Sequence, residues 1–227
     1  VMCLQETTPP DLAAVLDALG RGYAVHQGPN GRELWSSWST PEYPWEPNGT
    51  AIVWRRDAWS DVDPAAVDLS EDGNVAVTID ARHVGSGRRV RLMSVHLDAD
   101  RPDLRREQLP VALATFRPEA ETVDVIAGDC NEDTIGTDLG SLMVASGFAD
   151  ALTELSHLEP THPYACPTDD YAPIARLDHV MVRGADPVDG AVLDSGVWSV
   201  PEPGRRLAEH LGRTGSDHLP VVTALQV

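Results

Sequence analysis

The stretch VDVIAGDCN, residues 123–131, is a mostly apolar run that stops at a glycine and is followed at once by an acid and an amide. A short run of apolar and β-branched residues bounded by glycine is typical of a buried strand. Asp129 and Asn131 would then lie at the carboxyl end of that strand, where open sheets place catalytic and ligand-binding groups. The stretch therefore predicts a central strand and a candidate functional site at its end.

Strand and helix patterns alternate on both sides of this stretch. β-Branched residues are concentrated in GTAIVWRR, VAVTIDARHV and RRVRLMSVHL, and the GSG between the last two predicts an antiparallel hairpin. Further strands are predicted at VMCL, RLDHVMV and LPVVTALQV, and helices at TTPPDLAAVLDALGRG, DRPDLRREQLPVALATF, LGSLMVASG and GRRLAEHLG. The acidic segment SDVDPAAVDLSEDGN is expected to be a solvated loop. Together the patterns predict an α/β (α+β) domain with helices outside its sheets.

Composition limits the classes of function. Acidic residues outnumber basic ones by 36 to 17 among 227 residues, and the net charge of -19 disfavours a protein that coats nucleic acid. Three cysteines without paired spacing argue against a disulfide framework and a zinc ribbon. No run of 18 apolar residues is present, so no membrane span is predicted, and we expect a cytoplasmic monomer. Because the chain opens inside a strand pattern, an N-terminal piece is expected to be missing, which leaves secretion as an alternative.

Polar and ionisable residues recur at the carboxyl ends of the predicted strands. Any one of them alone would be interpreted as a turn or a cap. Together they supply hard oxygen ligands for a divalent cation, a group that activates water, and donors for phosphoryl oxygens, which are the requirements of metal-assisted phosphoester hydrolysis. The set is Glu6, His96, Asp129, Asn131, Asp178, Asp217 and His218.

Five motifs carry a family resemblance. In chain order they are LQE (4–6), SVHL (94–97), GDCN (128–131), RLDHV (176–180) and GSDHLPV (215–221). In this order, and over essentially the whole chain, they resemble the endonuclease/exonuclease/phosphatase superfamily, the relatives of DNase I and exonuclease III. The resemblance implies a four-layer α/β sandwich, in which two mixed sheets pack face to face with helices outside and the site lies at one rim. It also implies one domain over residues 1–227 that lacks its first N-terminal strand.

The resemblance assigns four residues to a metal centre. Glu6 corresponds to the metal-binding glutamate, and Asp217 would support the metal site. Asp129 corresponds to the aspartate that orients or deprotonates the attacking water, and Asn131 to a contact with phosphate or metal. The implied cation is Mg²⁺, with Mn²⁺ as a substitute. Cys130, where the family commonly has a bulky apolar residue, is interpreted as a packing residue.

Three further residues are assigned to the phosphate. His96 corresponds to a phosphate-contacting histidine, and His218 to the histidine that binds the scissile phosphate. Asp178 would orient His218 through a carboxylate–imidazole hydrogen bond. The substrate is therefore expected to be a phosphodiester or a phosphomonoester, carried by a small molecule or a nucleic acid. The acidic charge favours a small substrate over duplex DNA.

Alternative functions stay open at this point. A DNA endonuclease or exonuclease would use the same residues, and a non-catalytic binding module could keep the scaffold. A zinc hydrolase could be built on His157, His162 and Cys166, although their spacing matches no common zinc finger. His162 or Tyr164 could instead shape the substrate rim.

Two groups of residues have both a functional and a structural interpretation. The first is aromatic and would either stack on a base or sugar or hold a long loop in place: Trp35, Trp38, Tyr43 and Trp45. The second lies in DLRREQL and would either contact a phosphate or form a solvated helix face: Arg105, Arg106 and Gln108.

Overall fold

The computed structural model describes residues 1–28, 49–71, 74–163, 173–193, 216 and 218–227. Within them the helices are α1 (Pro9–Leu19), α2 (Pro102–Thr115), α3 (Asp138–Ala145) and α4 (Ala151–Glu154). The strands are β1 (Met2–Thr7), β2 (Tyr23–Gln27), β3 (Gly49–Arg55), β4 (Trp59–Asp68), β5 (Val75–His83), β6 (Arg89–His96), β7 (Thr122–Asp129), β8 (Ala149–Asp150), β9 (His162–Pro163), β10 (Pro173–Ala175), β11 (Asp178–Arg183), β12 (Asp186–Val192) and β13 (Val221–Gln226).

The largest sheet has six strands in the order β4-β5-β6-β7-β11-β8. It is mixed, because β6 and β7 run parallel while β5–β6 and β7–β11 are antiparallel. A second, antiparallel sheet has the order β1-β3-β2, and β12 pairs with β13. The helix α2 begins with Pro102 at its first position and continues through Pro110 to Thr115.

Alternating faces of the large sheet contribute to two separate cores. Met93 and Val95 of β6 pack with residues of α2 and α3, including Leu109 and Leu139. Val90 and Leu92 of the same strand face the other way and pack with Ile52 of β3. This period of two is the pattern of a strand buried on both sides. The layers are therefore α1, the smaller sheets, the large sheet, and α2 with α3, which confirms the predicted four-layer sandwich.

Several predicted elements are confirmed and one is wrong. The hairpin of β5 and β6 is antiparallel, as the GSG turn predicts. The acidic segment that was expected to be a loop instead forms β4, an edge strand that pairs only with β5 among the described strands. Its mostly exposed pattern and its Pro64 conceal the strand in the sequence, and both are typical of sheet edges. The helix predicted at GRRLAEHLG and the aromatic group Trp35, Trp38, Tyr43 and Trp45 lie outside the described residues.

Gly128 allows the backbone of β7 to lie very close to the Val95 carbonyl of β6. A Cβ atom there would lie 2.1 Å from the Val95 carbonyl oxygen and 2.8 Å from Gln5 Nε2, and its φ of 142° is unfavourable for other residues. Only glycine therefore lets β7 lie against β6 one residue before Asp129.

We expect Gly128→Ala to lower the free energy of unfolding by about 3 kcal/mol, because the clash adds to the backbone strain. Gly87→Ala is the matched control, since its φ is also positive, at 72°, but its Cβ would meet nothing within 4 Å. That control should lose only about 1 kcal/mol. Urea denaturation measures both, and equal losses would show that the contact with Val95 is unimportant.

Candidate active site

Three neighbouring strands of the large sheet bring three of the predicted residues together. β6 and β7 are parallel and end side by side, so that His96 is paired in register with Asp129. β11 starts at the same edge in the opposite direction, and Asp178 is paired with Asp129 from the other side. The carboxyl ends of β6 and β7 therefore form the candidate active site with the first residue of β11.

Two imidazoles flank one oxygen of Asp129. His96 Nε2 and His218 Nε2 each lie 3.7 Å from Asp129 Oδ2. The backbone N–H of Asn131 donates to the other oxygen, Asp129 Oδ1, at 2.7 Å. Asp129 is therefore held by one hydrogen bond and presents Oδ2 toward the space between the two histidines.

The environment of Asp129 favours its protonated form more than water does. Burial raises the pKa of this carboxyl, and the nearby charge of Asp178 raises it further. His96, His218 and the Asn131 N–H act in the opposite direction, but the net pKa shift is upward. A carboxyl whose pKa is raised toward neutral is a better proton acceptor than an exposed aspartate.

Asp178 forms a dyad with His218. His218 Nδ1 lies 2.8 Å from Asp178 Oδ2. Burial would raise the pKa of Asp178, but the hydrogen bond and charge of His218 outweigh it, and the pKa is lowered overall. Asp178 thus stays an anion that accepts the Nδ1 hydrogen, which directs Nε2 of His218 toward Asp129.

Thr161 fixes the two members of this dyad relative to each other. Its side-chain oxygen accepts the backbone N–H groups of Leu177 and Asp178 at 3.0 and 3.1 Å. Its backbone oxygen accepts the N–H of Leu219, the residue after His218, at 2.7 Å. A single buried threonine therefore anchors both chain segments. Thr161 lies in a loop, where no local pattern in the sequence indicates this role.

Backbone strain marks Glu6 and Asn131. Both have positive φ, at 53° and 51°, a conformation that few residues other than glycine adopt and that is enriched at functional sites. The side-chain amide of Asn131 donates to the Leu97 carbonyl at 3.0 Å, which turns its own amide oxygen away from that carbonyl. Asn131 therefore links the loops that follow β6 and β7.

Glu6 lies at the same edge as the histidines. Cys3 contacts the carbonyl of Met93, and Leu4 accepts a hydrogen bond from Ser94, so β1 runs along β6 in the same direction. A bulge between Leu4 and Thr7 accompanies the exposed position of Glu6. The other predicted metal ligand, Asp217, lies outside the described residues.

The chain matches the profile described as the Endonuclease/Exonuclease/phosphatase family over residues 1–218. The chain belongs to the endonuclease/exonuclease/phosphatase family. A comparison of its sequence with curated proteins finds no match.

Solved structures share the fold of this family member. A mannosyl-6-phosphatase from Bacteroides thetaiotaomicron has a TM-score of 0.71 at 17% identity, with 98% of this chain and 84% of that chain covered. TDP2 from D. rerio, complexed with a single-strand DNA product, has a TM-score of 0.72 at 18% identity and coverages of 99% and 85%. The human Nocturnin catalytic domain with bound sulfate has a TM-score of 0.68 at 21% identity and coverages of 99% and 79%.

The oxygen donors at the site suit a hard divalent cation. Glu6 offers an exposed carboxylate at the rim and Asn131 an amide oxygen, and Mg²⁺ is held by one or two carboxylates together with water and substrate oxygens. In the described part of the chain, no three His, Cys, Asp or Glu side chains form a group that could hold a metal ion. A carboxylate and an amide oxygen are donor types that a Mg²⁺ site with few protein ligands uses.

The structure places some of the residues of the other sequence alternatives. The ring of His162 lies 4.3 Å from that of His218 at an angle of 48°, which places it beside the dyad. His157 is exposed to solvent on one side and contacts Glu159. Tyr164 and Cys166 lie outside the described residues. Cys130 is fully buried in the core with its pKa raised by burial, which agrees with the packing interpretation.

The interpretation of Arg105 and Gln108 as part of a solvated helix face is wrong. Neither side chain is solvated, because both are buried beneath the loop that follows β6. Arg105 donates to the carbonyls of Asp98 and Ala99, and Gln108 accepts the N–H of Asp98. Arg106 is exposed and pairs with Asp138. Arg105 and Gln108 fall at helical spacing on the face of α2 that also buries Leu109, whereas Arg106 does not.

A buried cluster of polar side chains lies behind the dyad. His179 Nδ1 lies 2.6 Å from Asp150 Oδ2, and Arg176 reaches the same carboxylate at 3.3 Å and the hydroxyl of Thr153 at 2.9 Å. Burial would raise the pKa of Asp150, but its hydrogen bond with His179 and the charges of His179 and Arg176 lower it overall. The folded state therefore stabilises the Asp150 anion.

We expect Asp150→Asn to lower the free energy of unfolding at pH 7 by about 3 kcal/mol, because the buried Arg176 guanidinium loses the buried carboxylate that it contacts at 3.3 Å. A lowered folded pKa means that this stabilisation is present above the unfolded pKa and is lost as the pH falls through the folded pKa. The difference from wild type should therefore shrink below about pH 4. Denaturation at several pH values measures it, with the exposed Asp57→Asn as a control that should show little change at any pH. A pH-independent difference would contradict the charge argument.

Proposed function

We propose that the protein is a divalent-metal-dependent phosphoesterase in which water attacks the phosphorus of a phosphodiester or phosphomonoester. One observation carries the proposal: Asp129 Oδ2 lies 3.7 Å from Nε2 of both His96 and His218. The Asp129 carboxyl is buried and its pKa is raised, and Asp178 orients the His218 ring. A proton acceptor flanked by two donors suits an attacking water on one side and phosphoryl oxygens on the other.

Each residue has a proposed task. Asp129 orients the water and takes its proton as the new oxygen–phosphorus bond forms and the ester oxygen–phosphorus bond breaks. His218 and His96 donate from Nε2 to the phosphoryl oxygens, where negative charge develops. Asp178 keeps the second hydrogen of His218 on Nδ1, so that the donor stays aimed at the phosphate. Charge stabilisation by fixed donors is usually the largest contribution to such catalysis.

Mg²⁺, with Mn²⁺ as a substitute, is the proposed cation. Glu6, Asn131 and Asp217 would hold it, with Asp129 at its edge. When bound, the cation would neutralise charge on the phosphoryl oxygens. Isothermal titration with Mg²⁺ tests this proposal, and we expect Glu6→Gln to weaken binding.

Two solved structures indicate the range of substrates. One similar structure is a mannosyl-6-phosphatase, and another, TDP2, is complexed with a single-strand DNA product. The net charge of -19 opposes long-range attraction of a nucleic acid and favours a small phosphate ester. A nuclease is therefore the second candidate.

No helix in the described ranges is both long and apolar enough to cross a membrane.

A hydrolysis panel with Mg²⁺ separates the candidates. It would include sugar phosphates, inositol phosphates, a chromogenic phosphodiester, RNA, abasic oligonucleotide and plasmid DNA. We expect turnover of a small ester to exceed that of plasmid DNA. Preferential cleavage of DNA would favour the nuclease, and no hydrolysis of any substrate, together with no binding of Mg²⁺, would favour a non-catalytic binding module.

A further inference from the structure

Both the backbone carbonyl and the side-chain carboxylate of Glu132 have hydrogen-bonding partners. This residue directly follows Asn131 and so belongs to the loop that carries the end of the candidate active site. Its backbone carbonyl lies 3.1 Å from His179 Nε2. Its carboxylate lies 3.3 Å from Arg105 Nε. Two different elements, β11 and α2, therefore contact one residue of the loop after β7.

Arg105 also contacts the loop after β6. Its Nη1 donates to the carbonyls of Asp98 at 2.8 Å and Ala99 at 3.1 Å, two and three residues after His96. Only 9% of the side chain is exposed. One guanidinium thus joins the loop that follows His96 to the loop that follows Asp129. Its planar fork can bind several acceptors at once in a fixed geometry, which an ammonium cannot do.

His179 completes the connection on the side of β11. Its Nε2 faces the Glu132 carbonyl and its Nδ1 faces the Asp150 carboxylate, so both ring nitrogens point at oxygen acceptors. Either ring nitrogen can donate a hydrogen to the oxygen that it faces. Because His179 follows Asp178 directly, it ties the same loop to the strand that bears the dyad.

The arrangement is not needed merely to fill space. Burying a guanidinium has a large desolvation cost, and well-packed apolar residues stabilise a fold as well as a buried ion pair does. What an apolar residue cannot do is hold two loop carbonyls and a carboxylate at fixed separations. The loops that this guanidinium holds together are those that follow His96 and Asp129, and it adds to the contact that Asn131 makes with Leu97.

We propose that Arg105 is a positioning residue for hydrolysis, which acts through Glu132 and the carbonyls of Asp98 and Ala99 to fix the separation between His96 and Asp129. This inference rests on the proposed function. A loosened loop would still let substrate bind, but it would misalign the water-activating carboxylate with the phosphate donors. The loss should therefore fall on kcat more than on KM.

The test compares Arg105→Gln with Arg106→Gln. The two arginines are neighbours on α2, but Arg106 is half exposed and forms an ion pair with the exposed Asp138. With Mg²⁺ and a chromogenic phosphodiester, we expect Arg105→Gln to lower kcat by about 30-fold, with KM within about threefold, as for a misplaced catalytic group. Arg106→Gln should stay within about twofold of wild type in both constants.

Rates are expressed per folded molecule, with the folded fraction taken from circular dichroism. A decrease that only follows the folded fraction, or an equal decrease in both variants, would overturn the proposal. Glu132→Gln offers a second route, because it removes the carboxylate contact and keeps the backbone carbonyl for His179. The double variant with Arg105→Gln should then lose less than the product of the two single losses.

A spectroscopic measurement separates this inference from the proposed function. In protein labelled with ¹⁵N-histidine, we expect the ring resonances of His96 to shift or broaden in Arg105→Gln and to stay unchanged in Arg106→Gln. This holds whether or not the wild type hydrolyses the ester. Inactive wild-type protein with the expected shift would overturn the proposed function alone, whereas an unchanged His96 ring in folded Arg105→Gln would overturn the inference.

Discussion

Replacing Asp129 with asparagine is expected to lower kcat by about 10³-fold or more, because the amide cannot accept a proton from the attacking water. The amide oxygen can still accept the Asn131 N–H, which now lies 2.7 Å from Asp129 Oδ1, so the loop should keep its conformation. KM should change little, since asparagine preserves the shape of the site. Steady-state hydrolysis of a chromogenic phosphodiester measures both constants.

The same variant should be at least as stable as wild type. Burial raises the pKa of Asp129 in the folded state. Ionising this carboxyl therefore costs more free energy in the folded chain than in the unfolded one. The ionised carboxyl therefore lowers the free energy of unfolding at neutral pH, and the neutral amide removes this effect. Denaturation at pH 7 checks it. A variant that loses activity and stability together would indicate that Asp129 has a structural role, and near wild-type turnover would eliminate it as the base.

Replacing His218 with glutamine is expected to lower kcat by about 300-fold, because one fixed donor to the developing negative charge on the phosphoryl oxygens is lost. The glutamine amide cannot reproduce both the hydrogen bond with Asp178 at 2.8 Å and the direction of Nε2 toward Asp129. Single-turnover kinetics with excess enzyme separates this chemical step from product release.

His83→Gln is the control for that measurement. His83 contacts Ser86 in the turn after β5, away from the dyad, and the chemical change is identical. It should leave kcat within about twofold of wild type, as expected for a surface substitution. Asp178→Asn should reproduce part of the loss from His218→Gln, because it releases the imidazole without removing it. Full activity in Asp178→Asn would contradict the orienting role of that carboxylate.

The predicted site residues that the large sheet brings together share one property. His96, Asp129 and Asp178 stand directly at the ends of apolar runs, and such runs indicate strands because residues buried on both faces give a continuous apolar pattern. A polar residue at the boundary then marks the sheet edge. His218 lies outside a strand, and it was predicted from the GSDHLPV motif and not from the alternation of apolar residues.

The elements that the sequence did not predict lack such a boundary. β4 carries charges and Pro64 in an exposed edge strand, so its pattern matches that of a loop. Contacts between distant residues leave even less signal: Arg105 and Glu132 are 27 residues apart, and His179 and Glu132 are 47 residues apart. Helical spacing places Arg105, unlike Arg106, on the apolar face of α2 with Leu109. Only the packed fold shows which distant groups Arg105 contacts.

The central claim is that Asp129 directs water to phosphorus, and hydrolysis in ¹⁸O-labelled water tests it most directly. Wild type with Mg²⁺ and the best ester of the panel should place one ¹⁸O atom in the phosphate product and none in the released alcohol, as mass spectrometry would show. In Asp129→Asn the labelled product should form about 10³-fold more slowly or less. Label in the alcohol, or labelled phosphate formed at the wild-type rate by Asp129→Asn, would contradict the claim.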